Sequence, residues 1–368
     1  MKRVHHYAVL DGMRGIAAIV VGCFHCASLF DLPAVKHMEL AVGFFFCLSG
    51  FLLAHAYDAR LRDGLAFDRF MRLRLIRLHP MVLAGVALGL AVTAWGCATG
   101  GGAFLGRAYS TGDLITGSLL LLILLPAGLV LKQMLYFIDS PLWSLFFEYV
   151  ASAAYALTGG RGVRARTAWL IFAALVVVLL PFAVAFGGVT SLGLGNAVMF
   201  AGGFARLAVP FFAGIMLRRF NVAERLPACR DIAVMAGLLA FLLYPGFGDA
   251  WQYDVLGAAL VCPLLVALGA RAGGTAVLQP LWRHMGAVSY PFYVLHMPVM
   301  KAARHLTEVV YPHSVPTWLA MAGSFAVALL LAEGALYVYD RPVRAWLMAR
   351  FDGERRTRTA TGLAPELS

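Results

Sequence analysis

Arg14 and His25 stand eleven residues apart inside one of the most apolar stretches of the chain, LDGMRGIAAIVVGCFH. On a helix, eleven positions make three turns plus about 20°, so both side chains share a face, roughly 16 Å apart along the axis. A guanidinium within a membrane segment is costly and usually functional, and a histidine titrates near neutral pH. The pair reads as a cation partway across a bilayer, aligned with a titratable base.

Two further sets of residues have chemical reach. Arg72, Arg74 and Arg77 lie in FDRFMRLRLIRLHP, and guanidinium forks there suit an anionic ligand with several phosphates. Glu148 in SPLWSLFFEY and His296 in SYPFYVLHMP set a carboxylate and a second imidazole among aromatic residues. The spans place the arginines at the cytoplasmic end and His25, Glu148 and His296 towards the outer one. That order suits a phosphorylated donor below and removal of a proton from an alcohol above, which amounts to group transfer across a membrane. The plainer readings are snorkelling anchors for Arg60, Arg62 and Arg69 and a satisfied core histidine for His296.

The elements that position these residues must be membrane helices. The chain has 368 residues, 61% of them hydrophobic and only 13% charged, with a mean hydropathy of +0.79. Windows of about 20 apolar residues, long enough to span a bilayer, recur along its length. They fall near 8–30, 38–57, 74–97, 114–131, 143–158, 167–187, 197–217, 231–245, 253–270, 286–303 and 316–339. The first is too long for the apolar core of a signal peptide and carries Arg14, so it reads as a retained helix.

The positive-inside rule puts the loop holding Arg60, Arg62 and Arg69 in the cytoplasm, together with Lys2 and Arg3. Crossing at every window would place Arg161, Arg164 and Arg166 outside. Ten crossings, with either 114–131 or 143–158 re-entrant or interfacial, return those residues to the cytoplasm. Outside then remain Lys36, Arg107, Lys132, Lys301 and Arg304, with Arg14 and Arg206 within the membrane. The sequence thus predicts an all-α polytopic helical bundle in a bacterial inner membrane, both termini cytoplasmic. One domain covers 1–345, followed by a disordered polar tail, 346–368.

The formal net charge of +11 has this topological cause and does not point to nucleic acid, because the aromatics sit in apolar runs and not among the arginines. The six cysteines lack the spacing of a disulfide framework, and Cys23-x-x-Cys26 has no second ligand pair, so no metal site is expected.

Taken together, these blocks resemble the membrane-bound acyltransferase 3 family, whose members carry O-acyl groups, most often acetyl, onto bacterial surface and secreted glycans. The resemblance spans about residues 8–345 and rests on six motifs in order: Arg14-x10-His25 after Leu10-Asp11-Gly12; Phe45-Phe46-Cys47-Leu48-Ser49-Gly50-Phe51; Arg74-Leu-Ile-Arg77-Leu78-His79-Pro80; Trp143 to Glu148; Gly286 to His296; and Asp340-x-Pro-x-Arg344. Gly43 stands where the family often has an acidic residue, and Asp340 where glutamate is usual. Many relatives also carry a soluble C-terminal hydrolase-like domain that this chain is too short to hold, so acceptor recognition is expected within the membrane domain or on a partner.

The resemblance implies an O-acetyltransferase that uses acyl-CoA, most often acetyl-CoA, with its phosphates near Arg72, Arg74 and Arg77 and its pantetheine arm running past Arg14 to His25. His25, Glu148 and Arg14 take the catalytic roles; Trp143, Ser144, Tyr290, His296 and Arg206 face the acceptor, a glycan or lipid-linked sugar. His25 either deprotonates the acceptor hydroxyl directly or is acylated first. The competing reading from another class is a transporter or flippase for an anionic lipid-linked sugar, which needs arginines in the membrane but no base on the donor path.

Overall fold

The computed structural model describes residues 7–131, 133–245, 251–312 and 314–360, with side chains described as far as 351. The expectations for Lys2, Arg3, Lys132 and the tail residues 361–368 fall outside the described residues. The helices are α1 (Ala8–Leu29), α2 (Leu40–Arg62), α3 (Phe67–Thr99), α4 (Thr111–Leu122), α5 (Trp143–Leu157), α6 (Ala165–Ala185) and α7 (Ala197–Arg219). They continue with α8 (Asp231–Leu242), α9 (Trp251–Leu256), α10 (Cys262–Arg271), α11 (Gln279–His305), α12 (Thr317–Ala335) and α13 (Arg341–Ala360). A two-residue hairpin, β1 (Ala103–Phe104) with β2 (Arg107–Ala108), caps the end of α3. Single π turns continue α9 into α10, extend α11 over Leu306–Val310 and join α12 to α13.

The chain is an all-α membrane bundle, as its composition requires. Among the described residues, seven helical stretches are long and apolar enough to cross a bilayer: Ala8–Leu29, Lys36–Arg62, Phe67–Thr99, Ala165–Ala185, Ala197–Arg219, Trp251–Arg271 and Thr317–Phe351. The 27-residue α11 would extend about 40 Å. It is less apolar because it carries His296, Lys301, Arg304 and His305. The last helix runs on through 346–360, where the sequence suggested a disordered tail.

Two glycine seams hold the bundle. On α1, a Cβ at Gly15 would lie 2.6 Å from Met285 Cβ, and one at Gly22 2.7 Å from Phe292 Cζ; on α11, one at Gly286 would lie 2.5 Å from Asp11 Cβ. The α2–α7 pair is closer still, since a Cβ at Gly50 would strike the Phe211 carbonyl and one at Gly214 the Cys47 carbonyl. Lipid chains are as apolar as leucine, so membrane helices associate through such close packing and buried polar contacts.

Polar ties then fix the helix ends. Asp58 accepts from Arg219 Nη2 at 2.7 Å and Nε at 2.9 Å, and from Tyr155 at 2.6 Å, joining α2, α7 and α5. Asp231 accepts from Thr275 and from Trp282 Nε1 at 3.0 Å, joining α8 to α11.

The window 114–131 is not one helix. α4 stops at Leu122 after 12 residues. The chain then doubles back: Phe137 packs on Gly117 and stacks on Tyr109 at 5.0 Å, at the start of α4. Gln133 donates to the Ala108 carbonyl. Residues 109–137 therefore enter and leave at one level, and α5 runs from there to the Asp58 cluster. Of the two segments the sequence left open, 114–131 is broken after Leu122, whereas Trp143–Leu157 is one continuous helix.

Because backbone, and not a flexible side chain, blocks a methyl at Gly50, Gly50→Ala is expected to cost about 1–3 kcal/mol by overpacking. Gly43, where a Cβ meets nothing within 4 Å, provides the control. Thermal unfolding of the detergent-purified protein should show a lowered midpoint for the first alanine variant and none for the second.

Candidate active site

Three helices contribute the polar floor of an inner cavity of about 200 Å³. Arg74 on α3, only 3% exposed, donates from Nη2 to Glu148 Oε1 on α5 at 2.5 Å. Ser49, from the FF-x-x-SGF block on α2, donates to the same oxygen at 3.1 Å. Arg14 enters from α1: its Nε donates to Ser289 Oγ at 3.0 Å, its Nη2 to the Gly286 carbonyl, and Asp11 pairs with it at 3.2 Å. Arg77 and Arg344 line the same cavity, Arg344 paired with Asp340. Tyr290 donates to the Leu78 carbonyl at 2.5 Å, and Ser144 shares a 2.8 Å hydrogen bond with Tyr293.

The cavity is lined by four arginines and two carboxylates, and with Asp11 paired to Arg14 as a third it keeps a net cationic balance suited to an anion. Its cations are not equivalent. Arg74 is committed to Glu148, whereas Arg77 makes no hydrogen bond or ion pair among the described residues.

His25 is elsewhere. It lines a second, outer pocket of about 580 Å³, together with Ser28, the β-hairpin and the end of α11. Its Nδ1 lies 2.8 Å from His296 Nε2, and His296 Nδ1 lies 3.0 Å from the Phe292 carbonyl. A carbonyl only accepts, so His296 carries its proton on Nδ1 and presents a lone pair at Nε2. His25 then donates from Nδ1, which leaves its Nε2 as the basic nitrogen. The two-histidine relay performs the orienting task that a carboxylate performs in a Ser-His-Asp triad.

No described residue lines both pockets. The partition is aromatic: Phe45 and Tyr293 line the inner cavity with their rings 5.8 Å apart, and Tyr293 lies 6.0 Å from the His296 ring.

Several sequence expectations need correction against this geometry. Glu148 does not share a pocket with His25; it lines the inner cavity one turn after Ser144 on α5 and is paired with Arg74. Arg72 does not line the cavity, because its guanidinium stacks on Phe351 at 5.0 Å, on the helix that follows Asp340. Arg206 is an internal clamp: it donates to the carbonyls of Thr190, Leu192 and Glu39 and lies 4.7 Å over the ring of Trp143. Trp143 backs that clamp and lines neither pocket. Lys301 is not in an outer loop but buried, donating to the Phe137 carbonyl at 2.8 Å. The structure brings together Arg14, Arg74, Arg77, Ser144, Glu148 and Tyr290 in one cavity, and His25 with His296 in another layer.

Sequence reasoning passed over Ser49, Ser289 and Arg344, although each falls inside a motif block. For Ser49 and Ser289 the signal was a polar residue on a membrane helix, the mark of a position facing protein and not lipid; Arg344 lies on a helix rich in arginine, where one more carries no such mark.

The fold and the two pockets define a membrane-embedded group-transfer protein. The chain belongs to the acyltransferase 3 family: the family model described as an acyltransferase domain matches residues 7–333. It is similar to "Protein 2 in picA locus" of Rhizobium radiobacter, 36% identical over 188 residues, which are 49% of this chain and 96% of that protein. No solved structure matches the chain. Arg344 lies beyond the family match and still lines the inner cavity.

Arg74→Ala strands the Glu148 carboxylate, so it is expected to destabilise the protein by on the order of 2 kcal/mol, the worth of a charge-assisted hydrogen bond. Glu148→Ala alone strands Arg74 similarly, and the double variant should recover part of the loss, a coupling that a double-mutant cycle of thermal stabilities would measure.

Proposed function

We propose that the protein is a membrane O-acetyltransferase that moves the acyl group of cytoplasmic acetyl-CoA to a hydroxyl of an extracytoplasmic or lipid-linked glycan. The observation that carries the reading is the basic Nε2 of His25, held by His296 at 2.8 Å and facing the outer pocket. The inner cavity supports the donor half. Phosphates would seat against Arg77, with Arg344 and Arg14 deeper in the cavity, while Arg74 holds Glu148 and stays structural. The pantetheine arm passes Arg14 and displaces the Phe45 and Tyr293 rings to bring the thioester to His25.

In the transfer, His25 Nε2 takes the proton of the acceptor hydroxyl as its oxygen attacks the thioester carbonyl. The carbon–sulfur bond breaks, and the CoA thiolate takes the proton back from His25, giving an ester and free thiol. An acyl-histidine route uses the same nitrogen as nucleophile. A flippase needs no oriented base, and for that reason the two-histidine relay favours the enzyme.

The same reading places the protein in a bacterial inner membrane with ten crossings: α1, α2, α3, α5, α6, α7, α8, α9 with α10, α11, and α12 running into α13. The α4 hairpin enters and leaves on the outer side, and both termini are cytoplasmic.

His25→Ala is expected to abolish acetyl transfer without loss of membrane abundance, and His296→Ala to lower the rate by roughly 10²-fold, within the range of a positioned base. Arg77→Ala should instead weaken acetyl-CoA binding by roughly tenfold to a hundredfold, with Lys a partial substitute. Acetyl transfer that survives His25→Ala would overturn the base and acyl-histidine roles given to His25, whereas a wild-type protein that moves a lipid-linked sugar but acetylates nothing would favour transport. For topology, in a background lacking the six cysteines, Ala108→Cys should react with an impermeant thiol reagent on intact cells and Gly162→Cys should not. Reversal of that contrast would invert the sides from which donor and acceptor approach.

A further inference from the structure

The outer pocket has a second histidine. His305, the last residue of α11, lines it with His25 and is 1% exposed. Its Nε2 lies 2.7 Å from Thr99 Oγ1, while its Nδ1 has no hydrogen-bond partner among the described residues. The Thr99 hydroxyl also lies 2.9 Å from the Trp95 carbonyl, one turn back on α3. That carbonyl can only accept, so it takes the single hydroxyl proton. Thr99 then accepts from His305 Nε2, and Nδ1 is left with a lone pair. Trp95 and Phe104 pack edge-on against the imidazole at 5.1 and 5.2 Å, fixing its plane. The helix widens immediately afterwards into the π turn Leu306–Val310, a departure frequent at functional sites.

The charges of the pocket are the reverse of those in the inner cavity. Arg304 donates to Asp31 at 2.7 Å and to Glu308 at 2.8 Å, so one cation is met by two carboxylates. Among the described residues lining the pocket Arg304 is the one Lys or Arg, and it is already met by both carboxylates, so an acidic ligand would find one carboxylate in excess. A neutral polyol would find an acceptor nitrogen at His305, a base at His25 and carboxylate oxygens at the rim.

Resting on the reading that His25 acts on the acceptor, we propose that this pocket selects a neutral, hydroxyl-rich sugar over an acidic one. His305 Nδ1 accepts a hydrogen bond from a hydroxyl neighbouring the one acylated, and Asp31 with Glu308 excludes carboxylated sugars.

The test uses the full-length protein in nanodiscs with acetyl-CoA and the methyl glycosides of glucose, galactose and mannose, each beside its uronic acid counterpart. At least one neutral glycoside is expected to be acetylated, and its uronide roughly tenfold more slowly at low salt, where like-charge exclusion is greatest. Asp31→Asn with Glu308→Gln leaves Arg304 unopposed and should bring the uronide level with the neutral sugar. His305→Phe should raise KM for the glycoside roughly tenfold while KM for acetyl-CoA holds, with His305→Gln recovering part of it.

Equal use of uronide and neutral sugar by the wild type, or a ratio unmoved in the double variant, overturns the charge argument. A glycoside KM unchanged in both His305 variants overturns the role of that residue. If acetyl-CoA binds but no glycoside is acetylated, the sugar assignment falls and the donor reading stands; if acetyl-CoA does not bind, both fall.

Discussion

The seam between α1 and α11 is the constraint on which the rest of the molecule depends. Gly12, Gly15 and Gly22 on one helix and Gly286 on the other leave no room for a Cβ, so the backbones approach far more closely than leucine-lined helices could. That approach lets Arg14 reach the Gly286 carbonyl and Ser289, and it brings His25 within hydrogen-bond distance of His296. In hydrocarbon an unsatisfied polar group is costly. The close seam therefore makes the buried arginine and the histidine relay tolerable, and it also sets their separation along the membrane normal.

A division of charge follows along that axis. The inner cavity gathers guanidinium groups on α1, α3 and α13, and the outer pocket holds imidazoles and carboxylates. Between them lies an aromatic layer, Phe45 and Tyr293, contributed by α2 and α11. A base opening directly onto the arginine cavity would stand among its guanidinium charges. Separated by the aromatic layer, His25 meets solvent from the side opposite the arginines.

Much of this was legible in the sequence, for identifiable reasons. The bundle followed from recurring apolar windows, and the shared face of Arg14 and His25 from helical periodicity. The expectation of one non-crossing segment came from the sign of Arg161, Arg164 and Arg166, and the fold adds that 114–131 is broken after Leu122. What failed were partnerships between distant elements. Glu148 looked like an outer carboxylate because its depth was counted from the end of an apolar window. The chain in fact doubles back over 123–139 before α5 begins, which resets the count. Arg206 resembled a ligand-binding cation because nothing in its own helix reveals the Thr190 and Leu192 carbonyls that absorb it. Lys301 looked external because its partner is a backbone carbonyl, which leaves no trace in residue type.

The relay that orients His25 begins at the carbonyl of Phe292 and not at a carboxylate. A carbonyl holds a tautomer but brings no full negative charge, so the relay itself supplies no counter-ion to a cation on His25. On the proposed mechanism, such a relay favours passing a proton along over holding one, so its arrival and departure fall close in time to the making and breaking of bonds to the acyl carbon. A carbonyl-terminated relay then acts as a kinetic latch that couples proton flow to group transfer.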